Sequence, residues 1–207
     1  YRMGVNSDDG FKVTVGPNPR DALSLVLGSF GTGRGVADSL FDFVVEADGI
    51  YPFRLAWWEG TGGAALEWFT VDPAGQKTLI NDRSVATAVK AYSTGPAASL
   101  FVRSIAPFPG VTNANGNAAI NIVLADGVTQ VQPSTVQLFF DNQLVTATVN
   151  KPAGSGDTTV TYDPPGTLAP ESAHTVRLVY GDNATPPVLR TNTYTFQVKP
   201  TVLVEIN

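Results

Sequence analysis

The sequence predicts an all-β protein built as two β-sandwich domains, and three observations carry that reading. Apolar residues fall in short runs of five to eight, separated by Gly, Pro, Asn and Asp. No stretch keeps a 3.6-residue apolar period, so helix is expected to be scarce. The 207 residues include 20 glycines and 15 prolines with only 15% charged residues, the profile of a turn-rich sandwich.

The same composition excludes several kinds of function. Net charge is −5, from 13 basic and 18 acidic residues. No Lys/Arg cluster exists to track a phosphate backbone, so no nucleic-acid partner is expected. An anionic membrane surface is disfavoured for the same reason, and no apolar run approaches the roughly 20 residues of a membrane span. The chain has no cysteine, which removes thiol nucleophiles, thiolate metal sites and disulfides. Tyr1, Met3 and Val5 already alternate as a strand, so the chain is expected to be a piece of something longer.

In chain order, Tyr1 to Asn6 reads as a strand. Ser7-Asp8-Asp9-Gly10 then reads as a tight turn into a second strand, Phe11 to Val15. Gly16-Pro17-Asn18-Pro19 ends that strand, because proline cannot donate to a ladder. Leu23 to Leu27 is a short strand or irregular piece, and Gly28 to Gly35 a flexible loop carrying Arg34. Leu40 to Glu46 alternates as a strand, and Asp48-Gly49 turns it onward. The segment Asp48 to Thr70 is the expected centre of the domain. One strand holds Phe53, Leu55 and Trp57 on one face and Arg54, Ala56 and Trp58 on the other. A second runs from Ala65 to Val71, and between them lies a loop with Gly60, Gly62 and Gly63. The two strands are expected to pair, and all three tryptophans sit beside the loop. Asp72-Pro73-Ala74-Gly75 is a turn with proline at its second position, and Thr78 to Ile80 a last short strand.

From Asn81 to about Ser104 the pattern weakens, with a brief strand allowed at Leu100 to Val102. The expected division is a first domain over 1–93, a linker over 94–104 and a second domain over 105–207. Strands in the second half are expected at Ala119 to Leu124, Val136 to Phe140, Leu144 to Asn150, Thr158 to Tyr162, His174 to Tyr180 and Tyr194 to Val198. A further one is allowed at Val202 to Ile206. Hairpins are expected at Asp141-Asn142 and at Gly154-Ser155-Gly156-Asp157. This spacing of strands and turns points to an immunoglobulin-like sandwich.

Two segments of the first half carry a family resemblance. Tyr1 to Val13, with Ser7-Asp8-Asp9-Gly10 at its centre, is similar to a strand–turn–strand element of PA14 domains. Asp48-Gly49-Ile50-Tyr51-Pro52-Phe53-Arg54-Leu55 is similar to a later strand of that family. The resemblance implies a jelly-roll-type sandwich, N-terminally truncated here, of a kind attached to bacterial toxins, glycosidases and yeast adhesins. It implies carbohydrate binding, with calcium in the adhesin branch held by paired aspartates joined through a cis peptide. By position, Asp8 and Asp9 would be those carboxylates. Glu59 stands where the adhesins usually have Asn, and the carbonyls of Thr61 and Gly63 would complete the shell. The sugar site would comprise Asp8, Asp9, Trp57, Trp58, Glu59, Gly62 and Gly63.

The residues support the chemistry independently. Calcium takes six to eight oxygen ligands, and adjacent carboxylates with loop carbonyls are a workable set. If Trp57 and Trp58 stay in strand geometry they point opposite ways, leaving one to stack on a sugar ring. Plainer readings stand beside these. Ser-Asp-Asp-Gly also suits a polar hairpin turn with Gly10 at positive φ, and at least two of the three tryptophans are expected in the core. Glu59 also reads as a solvated loop carboxylate, and Arg34 as an exposed charge or a partner for a nearby Asp. His174, the only histidine, is given no role, and Ser- or Cys-based triads are not expected to assemble.

The resulting expectation is a monomeric, non-catalytic, calcium-dependent glycan-binding module with an immunoglobulin-like spacer, from a larger exported bacterial protein at the cell surface or outside the cell. The alternatives are a pair of purely structural spacer domains and, less favoured, part of a polysaccharide hydrolase.

Overall fold

The computed structural model describes residues 1–92 and 99–200, which contain β-strands and no α-helix. The chain forms two compact units, one from Tyr1–Pro19 and Ser24–Pro96, the other from Arg20–Leu23 and Ala97–Asn207. Both are antiparallel β-sandwiches.

In the first unit the strands are β1 (Arg2–Asp8), β2 (Gly10–Val15), β3 (Leu25–Phe30), β4 (Ala37–Asp42), β5 (Phe53–Trp58), β6 (Ala65–Val71) and β7 (Lys77–Leu79). They make one sheet of order β4-β1-β6-β7 and another of order β3-β2-β5. Alternation along each strand puts one side inward. Met3, Val5, Phe11, Val13 and Phe41 are buried together, with Phe53, Leu55 and Trp68 packed against them.

Two expected pairings are replaced by crossings between sheets. β1 and β2 do not form a hairpin; they lie in different sheets with Asp9 alone between them. Gly10 is not among the positive-φ glycines. It is required for a different reason: a Cβ there would stand 2.1 Å from the indole of Trp58, its partner in register. Likewise β5 pairs with β2, while β6 pairs with β1 and β7, so the Gly60–Gly63 loop joins the two sheets. The cause is burial. The apolar face of β5 meets Trp68 of β6 across the core, with Phe53 and Trp68 rings 6.0 Å apart. Side-by-side pairing would not enclose both. The strand read at Leu40 to Glu46 is β4, displaced toward the N-terminus. The Asp72–Gly75 turn forms as expected, with Gly75 N–H donating to Asp72 O at 2.9 Å.

The second unit contains β8 (Phe101–Ala106), β9 (Ile120–Ala125), β10 (Val131–Phe140), β11 (Gln143–Val145), β12 (Thr148–Asn150), β13 (Asp157–Tyr162), β14 (Ala173–Asp182) and β15 (Leu189–Gln197). Their sheets are β11-β10-β14-β15 and β12-β13-β9-β8. Asp141 and Asn142 both take positive φ, 47° and 65°, and make the expected two-residue hairpin. The single strand read at Leu144 to Asn150 is two: β11 in one sheet and β12 in the other. Val145, Ala147 and Val149 keep packing against the core through the crossing.

Leu100, Val102 and Ile105 belong to the second core, so the weak pattern before Ser104 hides a core strand. Arg20–Leu23, read within the first domain, belongs to the second unit. Ala22 N–H donates to Val102 O at 2.7 Å, and Val102 N–H to Asp21 Oδ2 at 2.9 Å. The strand allowed at Val202 to Ile206 lies outside the described residues.

Candidate functional site

The corner where the first unit's chain changes sheets gathers three carboxylates. Asp8 ends β1, Asp9 makes the turn, and Glu59 follows β5; one oxygen from each lies within 4.8 Å of the others. β1 and β5 are held in place by their partners β6 and β2, so the convergence belongs to the sandwich itself.

Asp9 is the most constrained of the three. Its Oδ1 accepts the Arg34 N–H at 2.9 Å and its Oδ2 accepts the Gly60 N–H at 2.7 Å. The carboxylate thereby ties the two glycine-rich loops to the corner. Close approach requires glycine at Gly60, where a Cβ would lie 2.8 Å from Oδ2. Asp8 is positioned from the other side, its carbonyl accepting the Trp57 indole N–H at 2.8 Å. Gly63 faces the Asp8 carboxylate, where a Cβ would sit 3.2 Å from Oδ2. Gly62 takes φ +113°, and Thr61 is exposed on the same loop.

Glu59 is exposed, yet its carboxyl is pushed above the usual glutamate range. Partial desolvation is the main cause, and the neighbouring charges of Asp9 and Asp8 add to it. The salt bridges of Arg2, Lys77, Arg103, Lys151, His174 and Arg190 all go to other carboxylates. The donor set is hard, anionic and partly hydrated, which is what a divalent alkaline-earth cation binds. Asp8 and Glu59 are the carboxylates that would hold such an ion, since both Asp9 oxygens already accept backbone N–H groups. The Asp8–Asp9 bond is trans, since the cis bonds of the described chain are Ala106–Pro107 and Thr185–Pro186. The cis linkage implied by the resemblance is therefore not present.

Trp57 and Trp58 are 37% and 42% exposed, and only Trp68 packs against the core. The expectation of two core tryptophans is corrected: both residues end β5, Trp57 on the face of Phe53 and Leu55 and Trp58 on the opposite one. Register places Trp58 on the outer face opposite Gly10, next in sequence to Glu59.

Arg34 is half-buried rather than an exposed charge, and its charge helps to lower the Asp38 carboxyl below the usual aspartate range, after the stronger effects of Lys77 and Asn6. Its guanidinium donates to the Ser7 carbonyl at 3.2 Å, Ser7 Oγ at 2.8 Å and Ser39 Oγ at 2.8 Å, and it lies 4.2 Å from the Phe30 ring centroid. It anchors the Gly31–Gly35 loop from within.

A second constellation, in the other unit, was not expected. His174 Nδ1 lies 2.7 Å from Asp141 Oδ2, and Nε2 lies 2.7 Å from Ser172 Oγ. A hydrogen-bonded Ser–His–Asp chain therefore does assemble. The spacing Ser172-Ala173-His174 was a weak local signal, since i and i+2 share a strand face. Asp141 joins only through the β10–β14 pairing, 33 residues away.

No protein-family model and no curated protein matches the chain. Among solved structures, CopC from Methylosinus trichosporium OB3b aligns at 16% identity and a TM-score of 0.39, over 51% of this chain and 99% of that one. Dimeric latent PorU from Porphyromonas gingivalis aligns at 14% identity and 0.41, over 99% of this chain but 20% of PorU. The fibronectin(III)-like modules of Clostridium thermocellum CbhA align at 13% identity and 0.32, over 98% and 84%. The likeness to PA14 domains thus rests on its two motifs alone.

Proposed function

We propose that the first unit is a non-catalytic, calcium-dependent carbohydrate-binding module, and that the second is an immunoglobulin-like spacer within a larger exported bacterial protein. The observation that supports this reading is the juxtaposition of three converging carboxylates with two half-exposed tryptophans at one corner. Asp8 and Glu59 would hold the cation and Asp9 would brace the loops. Trp58 would offer its face to a sugar ring, whose hydroxyls are natural further oxygen ligands.

The test is thermal unfolding in EDTA, in 1 mM CaCl₂ and in 1 mM MgCl₂. A site of about 10⁻⁵ M adds roughly 2.7 kcal/mol at that concentration. The first unit's transition should rise by several degrees with calcium, and Asp8→Ala should abolish the rise. Glycan-array binding in calcium, lost in Trp58→Ala, would establish the ligand class.

One observation favours the spacer reading: both Asp9 oxygens already have backbone donors, so the corner is self-consistent as pure structure. Under it, calcium leaves the transition unmoved and no glycan is retained.

A further inference from the structure

The hydrogen-bonded chain of Ser172, His174 and Asp141 lies in the second unit and is independent of the glycan site. Asp141 sits in the β10–β11 turn, and its carboxylate is held on both sides. Oδ1 accepts the Thr175 N–H at 2.8 Å, and Oδ2 faces His174 Nδ1. The imidazole is 11% exposed, stacked on Phe140 at 5.1 Å and 18°, with Phe196 at 5.4 Å. Ring position and plane are therefore fixed. A carboxylate accepts and does not donate, so we assign the ring proton to Nδ1. Nε2 then presents its lone pair to Ser172 Oγ at 2.7 Å.

Ser172 is brought there by a strained turn. Glu171 takes φ +61°, unusual for a residue with a Cβ, immediately before the serine. Ser172 is half-buried, and Ala169, Pro170, Glu171 and Ala173 around it are exposed, so the serine lies at the surface of the unit. The single hydroxyl proton has two acceptors in reach, Nε2 at 2.7 Å and the Ala169 carbonyl at 2.5 Å, and the proposal uses the first.

From this geometry we propose that Ser172 is a nucleophilic serine, with His174 as its base and Asp141 as the residue that fixes the base's tautomer, reactive toward small activated acyl and phosphonyl esters. With an acyl ester, Oγ bonds to the carbonyl carbon as its proton passes to Nε2. The carbon–oxygen bond to the leaving alcohol then breaks, and that alcohol takes the proton from Nε2. Water, deprotonated by Nε2, hydrolyses the acyl-serine, and Oγ recovers its proton. With a fluorophosphonate, the Oγ–phosphorus bond forms as the hydroxyl proton passes to Nε2, the phosphorus–fluorine bond breaks and fluoride departs.

The test is labelling of the full chain with a small alkyl fluorophosphonate, read by intact mass and by peptide mapping. One adduct at Ser172 is expected, absent from Ser172→Ala. Asp141→Asn keeps the side-chain volume and suits positive φ, but turns a donor toward Nδ1. Labelling should slow at least 100-fold in that variant and in His174→Gln, matching the contribution of a positioned base. Unchanged thermal unfolding of Ser172→Ala and Asp141→Asn would show that the fold persists. No adduct, an adduct on another residue, or equal labelling rates in Asp141→Asn would overturn the proposal.

Discussion

Glycine marks the places where two side chains claim the same space. At Gly10 the claimant is Trp58, whose ring occupies the volume a Cβ would need. Gly4 shows the same relation on the face of β1 opposite to Met3 and Val5. A Cβ there would stand 2.5 Å from the ring of fully buried Phe69 and 2.7 Å from Leu40. Leu40 is exposed and can swing aside, but fully buried Phe69 cannot, so Gly4→Ala should destabilise the first unit by about 1–3 kcal/mol, measured by urea unfolding. At this scale the sequence was partly readable. Asp8, Asp9, Glu59 and the tryptophans announce themselves by type and nearness along the chain. Arg34 does not, because its Ser7 partner lies 27 residues away. A guanidinium's role depends on which hydroxyls and rings the fold brings to it. His174 escaped for the same reason.

Strands were legible as elements and much less so as partners. Period-two alternation identifies β5, β6, β10 and β14 because each buries one face. Whether successive strands pair or face each other depends on which arrangement encloses both apolar faces, and local sequence does not record that. Hence β1–β2 and β5–β6 read as hairpins but cross between sheets, as does the break between β11 and β12. The β14–β15 connection illustrates how such a link is held. Asp182, 4% exposed, accepts the N–H groups of Val188 and Ala184 and the Thr129 hydroxyl. The Val188 bond is the main reason its carboxyl lies below the ordinary aspartate range, against the opposing effect of burial. Because its native value is depressed, its stabilising effect is complete above about pH 4, where an unfolded aspartate is ionised. It is lost as pH falls through the native value. The melting-temperature gap between wild type and Asp182→Asn should therefore be present at pH 7 and shrink at pH 3, as read by calorimetry.

On the scale of the whole chain, two separate cores account for the apolar surface, and each unit is closed by its own pair of sheets. The sequence conveyed the class and the two-part organisation through its turn spacing. It did not convey that Arg20–Leu23 belongs to the second unit, since four residues next to a Pro-rich turn carry no periodic signal. Asp21 accepts the N–H groups of Leu23 and Val102, at 2.7 and 2.9 Å, and burial holds its carboxyl above the ordinary aspartate range. Asp21→Ala leaves both donors without that acceptor. It should destabilise the second unit by about 1–3 kcal/mol, seen in hydrogen exchange as lost protection of the Val102 amide.

That small excursion also sets an order of events. The Asp21 carboxylate leaves the ribosome 81 residues ahead of the Val102 amide it will bind. Until that strand arrives, the Asp21 carboxylate and the Ala22 amide lack their partners in β8, which are among the most distant contacts in the chain. The protein's second half is thus finished with a piece that was made first.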